Sequence, residues 1–189
     1  MGHITLHDVE QGSEAWHELR TGKYTGSNAY KLLGSFGATE YAQAIRNSFR
    51  GNFHTKRGHI LENEAIELYE AIKTITVLRT GFVTNSKYPT CLYSPDGLAP
   101  AALLEVKCFD IPEHRKLIKG EIKLSILAQI HFGLLITEQP IAHLIAYNPS
   151  KELTAQEQFR IIEVKPNRNI QTNFKRILTA KEARHAIHT

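Results

Sequence analysis

Strand-like runs set between helix-like segments constrain this chain more than any other feature. Residues 56–73 repeat apolar side chains at helical spacing. Ile60, Leu61, Ala65, Leu68, Tyr69 and Ile72 are expected on one buried face, with Glu64, Glu67 and Glu70 toward solvent. Residues 75–84 are rich in β-branched side chains and read as a strand, with Gly81 a candidate bulge. Residues 89–94 and 102–108 read as two more strands. Between them lie the turn signature Pro95-Asp96-Gly97 and a compact apolar loop over 97–103. A helix over 121–135, strands over 142–147 and 158–164, and a helix from Asn167 onward follow. Upstream, Ser13 and Glu14 open a short helix through Arg20 that Gly22 stops, and Thr25-Gly26-Ser27 caps a second through Leu33. A turn at 34–37 and a helix over 39–49 lead into the long helix. No repeat or linker divides the chain. The order predicts an α/β fold, a single domain over 1–189 with a central mixed β-sheet flanked by helices.

Composition narrows the class. Hydrophobic residues make up 42% and charged residues 22%, ordinary globular usage that argues against disorder. The apolar runs are too short to span a bilayer, and no secretory signal pattern opens the chain. Cys91 and Cys108 cannot form a disulfide framework or a paired metal motif, so buried thiols in a reducing, cytoplasmic setting are expected. A net charge of +4 permits a polyanionic partner without requiring one. Ten histidines are scattered with no zinc spacing. His59 alone stands out, one helical turn before Glu62.

The chemistry concentrates in Ser94-Pro95-Asp96-Gly97 and Leu104-Glu105-Val106-Lys107. Side chains alternate along a strand, so Glu105 and Lys107 share a face while Val106 turns to the core. With Asp96 at the end of the adjoining strand, two carboxylates and an ammonium converge. Mg²⁺ takes hard oxygen ligands and keeps several waters. Asp96, Glu105 and the backbone carbonyl of Val106 would hold it, and the ion would polarise a phosphate and acidify a water. Lys107 is free on this reading to orient that water, to help deprotonate it, or to offset charge. A nearby cation would depress its pKa and the carboxylates would raise it.

These residues resemble the PD-(D/E)xK nuclease signature, and further matches narrow the resemblance to the phage lambda exonuclease type, the YqaJ-like viral recombinases. Trp16-His17-Glu18-Leu19-Arg20 with Gly22 and Thr25-Gly26-Ser27 is similar to that family's opening motif. Arg57-Gly58 and Leu61-Glu62-Asn63-Glu64-Ala65 resemble its helical motif. Ser94 to Leu98 and Leu104 to Cys108 resemble its central motifs, and Ala128-Gln129-Ile130 its last. The resemblance implies a restriction-endonuclease-like core and a Mg²⁺-dependent 5′–3′ exonuclease on duplex DNA ends, with Mn²⁺ as a substitute ion. It implies Glu62 as a further carboxylate at the metal, with Glu64 the runner-up, and Gln129 approaching the active site. Arg20 and Ser27 would hold the 5′-phosphate. A homotrimeric ring, a single-strand annealing partner and a phage or prophage origin in a bacterial host come with it. The rivals are a related endonuclease or end-trimming nuclease, and a non-catalytic DNA-binding subunit. The basic run from Lys165 to Arg184 fits contact with a DNA backbone or a plain solvated face equally well. Trp16 and Tyr30 are expected in the core.

Overall fold

The computed structural model describes residues 2–33 and 53–188, with side chains described for 2–33 and 58–181. The expected turn at 34–37 and helix at 39–49 lie outside these residues. A four-stranded mixed sheet forms the centre. Its strands are β5 (Gly97–Ala99), β6 (Ala102–Lys107), β7 (Ala142–Tyr147) and β8 (Phe159–Val164), in the order β5-β6-β7-β8. β5 and β6 are antiparallel, β6 and β7 parallel, β7 and β8 antiparallel. The parallel pair needs a crossover. It is made by α4 (Ile111–Ile118) and α5 (Leu124–Thr137).

Alternation along the strands gives each face its own core. On one face Leu103, Leu144 and Ala146 pack with Ile130 and Leu134 of α5 and with Phe174 and Leu178 of the C-terminal helix α7 (Arg168–His188). On the other, Leu104, Val106, Ile145 and Tyr147 receive Leu61, Ala65, Ile66 and Tyr69 of α3 (Phe53–Lys73). Two smaller pairings complete the described sheets. β1 (Ile4–His7) runs antiparallel to β3 (Phe82–Asn85), and β2 (Tyr24–Thr25) parallel to β4 (Cys91–Leu92). No helix among the described residues is long and apolar enough to cross a membrane.

Several expectations need correction. The buried face of α3 is rotated toward Glu62: Ile66 is buried, while Ile60, Leu68 and Ile72 are 62%, 40% and 58% exposed. The strand expected over 75–84 is regular only from Phe82. Before it the chain makes a single bridge, Leu78 to Leu98, and then passes close to Val9. Gly81 is therefore a close-approach glycine: a Cβ there would collide with the Val9 carbonyl oxygen. The apolar stretch 97–103 is not a loop. Most of it is the β5–β6 hairpin, which turns at Pro100 and Ala101. Asp110 caps α4, with Pro112 in its first turn, and Thr154 and Glu157 form a capping box on the short α6 (Ala155–Gln158). β1, β2, α4 and α6 were not foreseen.

Two glycines make room for one aromatic ring. A Cβ at Gly133 of α5 would lie 2.5 Å from Tyr93 Cζ and 2.6 Å from Leu103 Cδ2. Gly133→Ala is therefore expected to destabilise the protein by about 1–3 kcal/mol, the usual cost of overpacking a tight core. Urea unfolding measures it, and an unchanged midpoint would show that the ring can yield.

Candidate active site

The site lies where the β5–β6 hairpin opens. The two strands pair from Ala99↔Ala102 to Gly97↔Leu104. Upstream of Gly97 the ladder stops, and Asp96 replaces it with its side chain: Asp96 Oδ2 accepts the Val106 N–H at 2.6 Å. Alternation along β6 sends Val106 into the α3 layer and turns Glu105 and Lys107 the other way, as expected. Glu105 is far from a solvated strand residue, at 1% exposure. A buried carboxylate needs its partners. The Tyr93 phenol donates to its Oε2 at 2.6 Å, and the Lys107 ammonium meets Oε1. From α5, Gln129 lies beside the same ring: its Cγ is close to the Gly26 side of the slot that the Tyr93 ring fills.

Glu62 is half-buried on α3, with His59 Nδ1 3.8 Å from its Oε2 one turn earlier. Asp96, Glu62, His59, Arg79, Asp8 and Gln11 all line an open cleft of about 260 Å³. Arg79 donates to Asn63 Oδ1 at 3.2 Å on the cleft wall. Glu64 turns elsewhere and accepts the Tyr147 hydroxyl at 3.0 Å, which leaves Glu62 as the helical carboxylate of the cleft.

The charges are coupled. Burial raises Asp96 well above the ordinary carboxylate range, and Glu105 and Glu62 add to the rise; Lys107 and the Val106 N–H only partly offset it. Burial also raises Glu62, against His59, with Glu105 pushing the same way as burial. Burial pulls Lys107 down, but Glu105, Asp96 and Glu62 outweigh it, and the ammonium sits above its usual value. The sequence left this balance open; in the folded chain the carboxylates win. Three carboxylates thus share one ammonium and favour more positive charge. Among the described residues no group of three His, Cys, Asp or Glu side chains stands ready as a metal cage. Mg²⁺ does not require one, since it is commonly held through one or two carboxylates and keeps its waters. The oxygen donors and the surplus negative charge fit such an ion.

The expected phosphate ligands sit on the N-terminal elements. Arg20 ends α1 (Glu14–Arg20), with its guanidinium 4.0 Å over the Trp16 ring. Trp16 is half-buried and Tyr30 is 45% exposed, so neither is a core residue. Ser27 is exposed and lies within a 3₁₀ turn, Gly26–Asn28, ahead of the short α2 (Ala29–Leu33). Its Oγ is 3.1 Å from Thr25 Oγ1, and Thr25 makes no side-chain cap. This turn packs on the site: a Cβ at Gly26 would lie 2.5 Å from Tyr93 Cε2 and 3.4 Å from Gln129 Cγ. Tyr93 is one of the residues that sequence reasoning missed, with Asp8, Gln11 and Arg79 of the cleft wall. Its signal was slight, a large aromatic on a strand-like run directly before Ser94-Pro95-Asp96.

This architecture matches solved exonuclease structures. The alkaline exonuclease LHK-Exo from Laribacter hongkongensis gives a TM-score of 0.72 at 22% identity, over 91% of this chain and 94% of that one. Its complex with dAMP gives 0.74 at 21% identity over the same shares. A phage-related exonuclease from Haemophilus somnus 129PT gives 0.65 at 18%, over 87% and 93%. No curated protein matches the chain. At these identities the likeness defines the fold, an α/β fold shared with exonucleases. Residues 15–140 match the YqaJ-like viral recombinase domain, and the chain belongs to that family.

Proposed function

We propose that this chain is a Mg²⁺-dependent DNA exonuclease with a restriction-endonuclease-like PD-(D/E)xK core. On this reading it degrades one strand of duplex DNA from the 5′ end, in phage-type recombination by single-strand annealing. The observation that carries the reading is the convergence of Asp96, Glu105 and Lys107 at the open end of one hairpin, with Glu62 lining the same cleft as Asp96 and close enough to couple to all three charges. Family membership and the dAMP complex of LHK-Exo support DNA as the substrate. Asp96, Glu105 and Glu62, with the Val106 carbonyl, would hold Mg²⁺, and Mn²⁺ would substitute. When bound, the ion supplies Lewis-acid polarisation of the phosphate and acidifies a water. Lys107, held protonated by its carboxylate neighbours, offsets charge at the reacting phosphate. Asp96 is kept in place by the Val106 N–H, and Gln129 reaches the site through Tyr93.

Linear and circular duplex, each with and without Mg²⁺, test the reading. Mononucleotide release from linear DNA alone, only with the ion, is expected. Cutting of closed circles would mark an endonuclease, and no cleavage of either would mark a non-catalytic binding subunit. A homotrimer and a single-strand annealing partner belong to the same reading through the family. Light scattering tests the trimer, which a stable monomer would exclude.

Arg20 and Ser27 as 5′-phosphate ligands make a separate prediction. Phosphorylated 5′ ends should be digested faster than hydroxyl ends. Arg20→Ala should shrink that preference by about tenfold, the scale of one charge-assisted hydrogen bond. Equal rates on both ends in the unaltered protein would remove this subsite and leave the metal site standing.

A further inference from the structure

Glu105 offers two oxygens, and the fold treats them differently. Oε1 meets the Lys107 ammonium, while Oε2 accepts the Tyr93 phenol at 2.6 Å. The phenol has little freedom. Tyr93 is fully buried, and its ring lies in a slot between Gly26 of the 3₁₀ turn and Gly133 of α5. A Cβ on either glycine would come within 2.5 Å of a ring atom, so the ring fills the space that the two glycines leave. Phe132 lies against it as well, with ring centroids 6.5 Å apart. A phenol has one proton to give, and Glu105 takes it. Gln129 lies beside the same slot, its Cγ 3.4 Å from where a Gly26 Cβ would sit. The hydrogen bond therefore runs from the phenol to Glu105, with Gln129 placed beside the hydroxyl-bearing ring.

We propose that Tyr93 is a positioning residue that commits Oε2 of Glu105 to the protein and presents Oε1 to the cation, linking Gln129 and the Gly26–Asn28 turn to the metal carboxylate. The inference rests on the Mg²⁺ reading above and assigns Gln129 a role through Tyr93. Outer partners that orient a metal ligand commonly matter about 10–100-fold in metal affinity. Tyr93→Phe keeps the ring in its slot and deletes only the hydroxyl.

The experiment is a Mn²⁺ titration of the full chain without DNA, read by electron paramagnetic resonance, with thermal unfolding of the metal-free proteins alongside. Tyr93→Phe is expected to bind Mn²⁺ about 10–100-fold more weakly. In DNA cleavage its kcat should fall while KM for DNA stays within about threefold, because the phenol touches the carboxylate and not the DNA. A folded Tyr93→Phe that binds Mn²⁺ as tightly as the unaltered protein overturns the proposal, whatever happens to its Tm. A lowered Tm with unchanged affinity would make the phenol a packing group only. Should Tyr93→Phe fail to fold, Gln129→Leu removes the support from the other side. Weaker Mn²⁺ binding by that variant supports the proposal, and unchanged binding overturns it. Absence of Mn²⁺ binding by the unaltered protein would overturn the metal reading itself, and this inference with it.

Discussion

Replacing Asp96 by asparagine is expected to abolish Mg²⁺-dependent cleavage and to leave the metal-free protein at least as stable as before. The amide oxygen can still accept the Val106 N–H that Asp96 Oδ2 now takes at 2.6 Å. What disappears is a negative charge held half-buried beside Glu105 and Glu62. Burial and those two neighbours hold Asp96 well above its usual pKa. The sign follows from proton linkage. A carboxyl raised in the folded state binds its proton more tightly there than in the unfolded chain, so its contribution to stability falls as the pH rises from about 4. Asparagine carries no such penalty. Its Tm should therefore match or exceed that of the unaltered protein at alkaline pH, while cleavage with Mg²⁺ as sole divalent ion is lost. Activity within about tenfold of the unaltered protein would sink the assignment of Asp96 to the ion; a proton-transfer or ligand group placed at the reacting centre is worth about 10²–10⁴-fold. Function at the expense of stability is a common bargain at such sites.

Lys107→Met is the second large effect. The thioether keeps most of the aliphatic stem but removes the ammonium from Glu105 Oε1. Glu105, Asp96 and Glu62 outweigh burial and hold the Lys107 ammonium above its usual pKa, so on the proposed reading it contributes charge rather than proton abstraction. The single-turnover rate with Mg²⁺ should fall about 10²–10⁴-fold, the scale of one positioned catalytic group. DNA affinity in Ca²⁺ should stay within about threefold. The reverse pattern, weaker DNA binding with an unchanged single-turnover rate, would move Lys107 from the chemistry to substrate binding.

Much of this site was legible because its residues are close in sequence or on strongly periodic elements. The i, i+2 spacing of Glu105 and Lys107 fixes their common face on any strand, and β6 obeys it. Glu62 needed only the right helix, and residues 56–73 were the strongest helix in the sequence. The register of α3 was harder. Apolar side chains surround more of that helix than the sheet can cover, so periodicity alone placed Leu68 and Ile72 inside. The helix instead turns its Glu62 flank inward and leaves them exposed. A half-buried acid on the packed side is a local conflict of the kind functional sites tolerate. Tyr93 was beyond reach for a different reason. Its partners Gly26, Glu105 and the pair Gln129 and Gly133 come from three separate stretches of chain, and nothing local marks the two glycines as halves of one slot. The residues Asp8 and Gln11 of the cleft wall were missed with β1, a four-residue strand whose partner, β3, lies some eighty residues away.

The hydrogen bond from Val106 to Asp96 has a consequence for how such chains can vary. Asp96 takes its position from the pairing of β5 with β6 and from the Val106 N–H of β6, the strand that also carries Glu105 and Lys107, and not from the length of the turn between them. The hairpin tip at Pro100 and Ala101 is exposed and lies at the far end of the β5–β6 ladder. Residues added there would lengthen the path from Asp96 to Glu105 without changing the distance across the gap, as exposed loop tips generally allow. The count of residues between the two acids is thus a free parameter of this architecture, whereas their separation in space is held by the β5–β6 register and the Val106 amide.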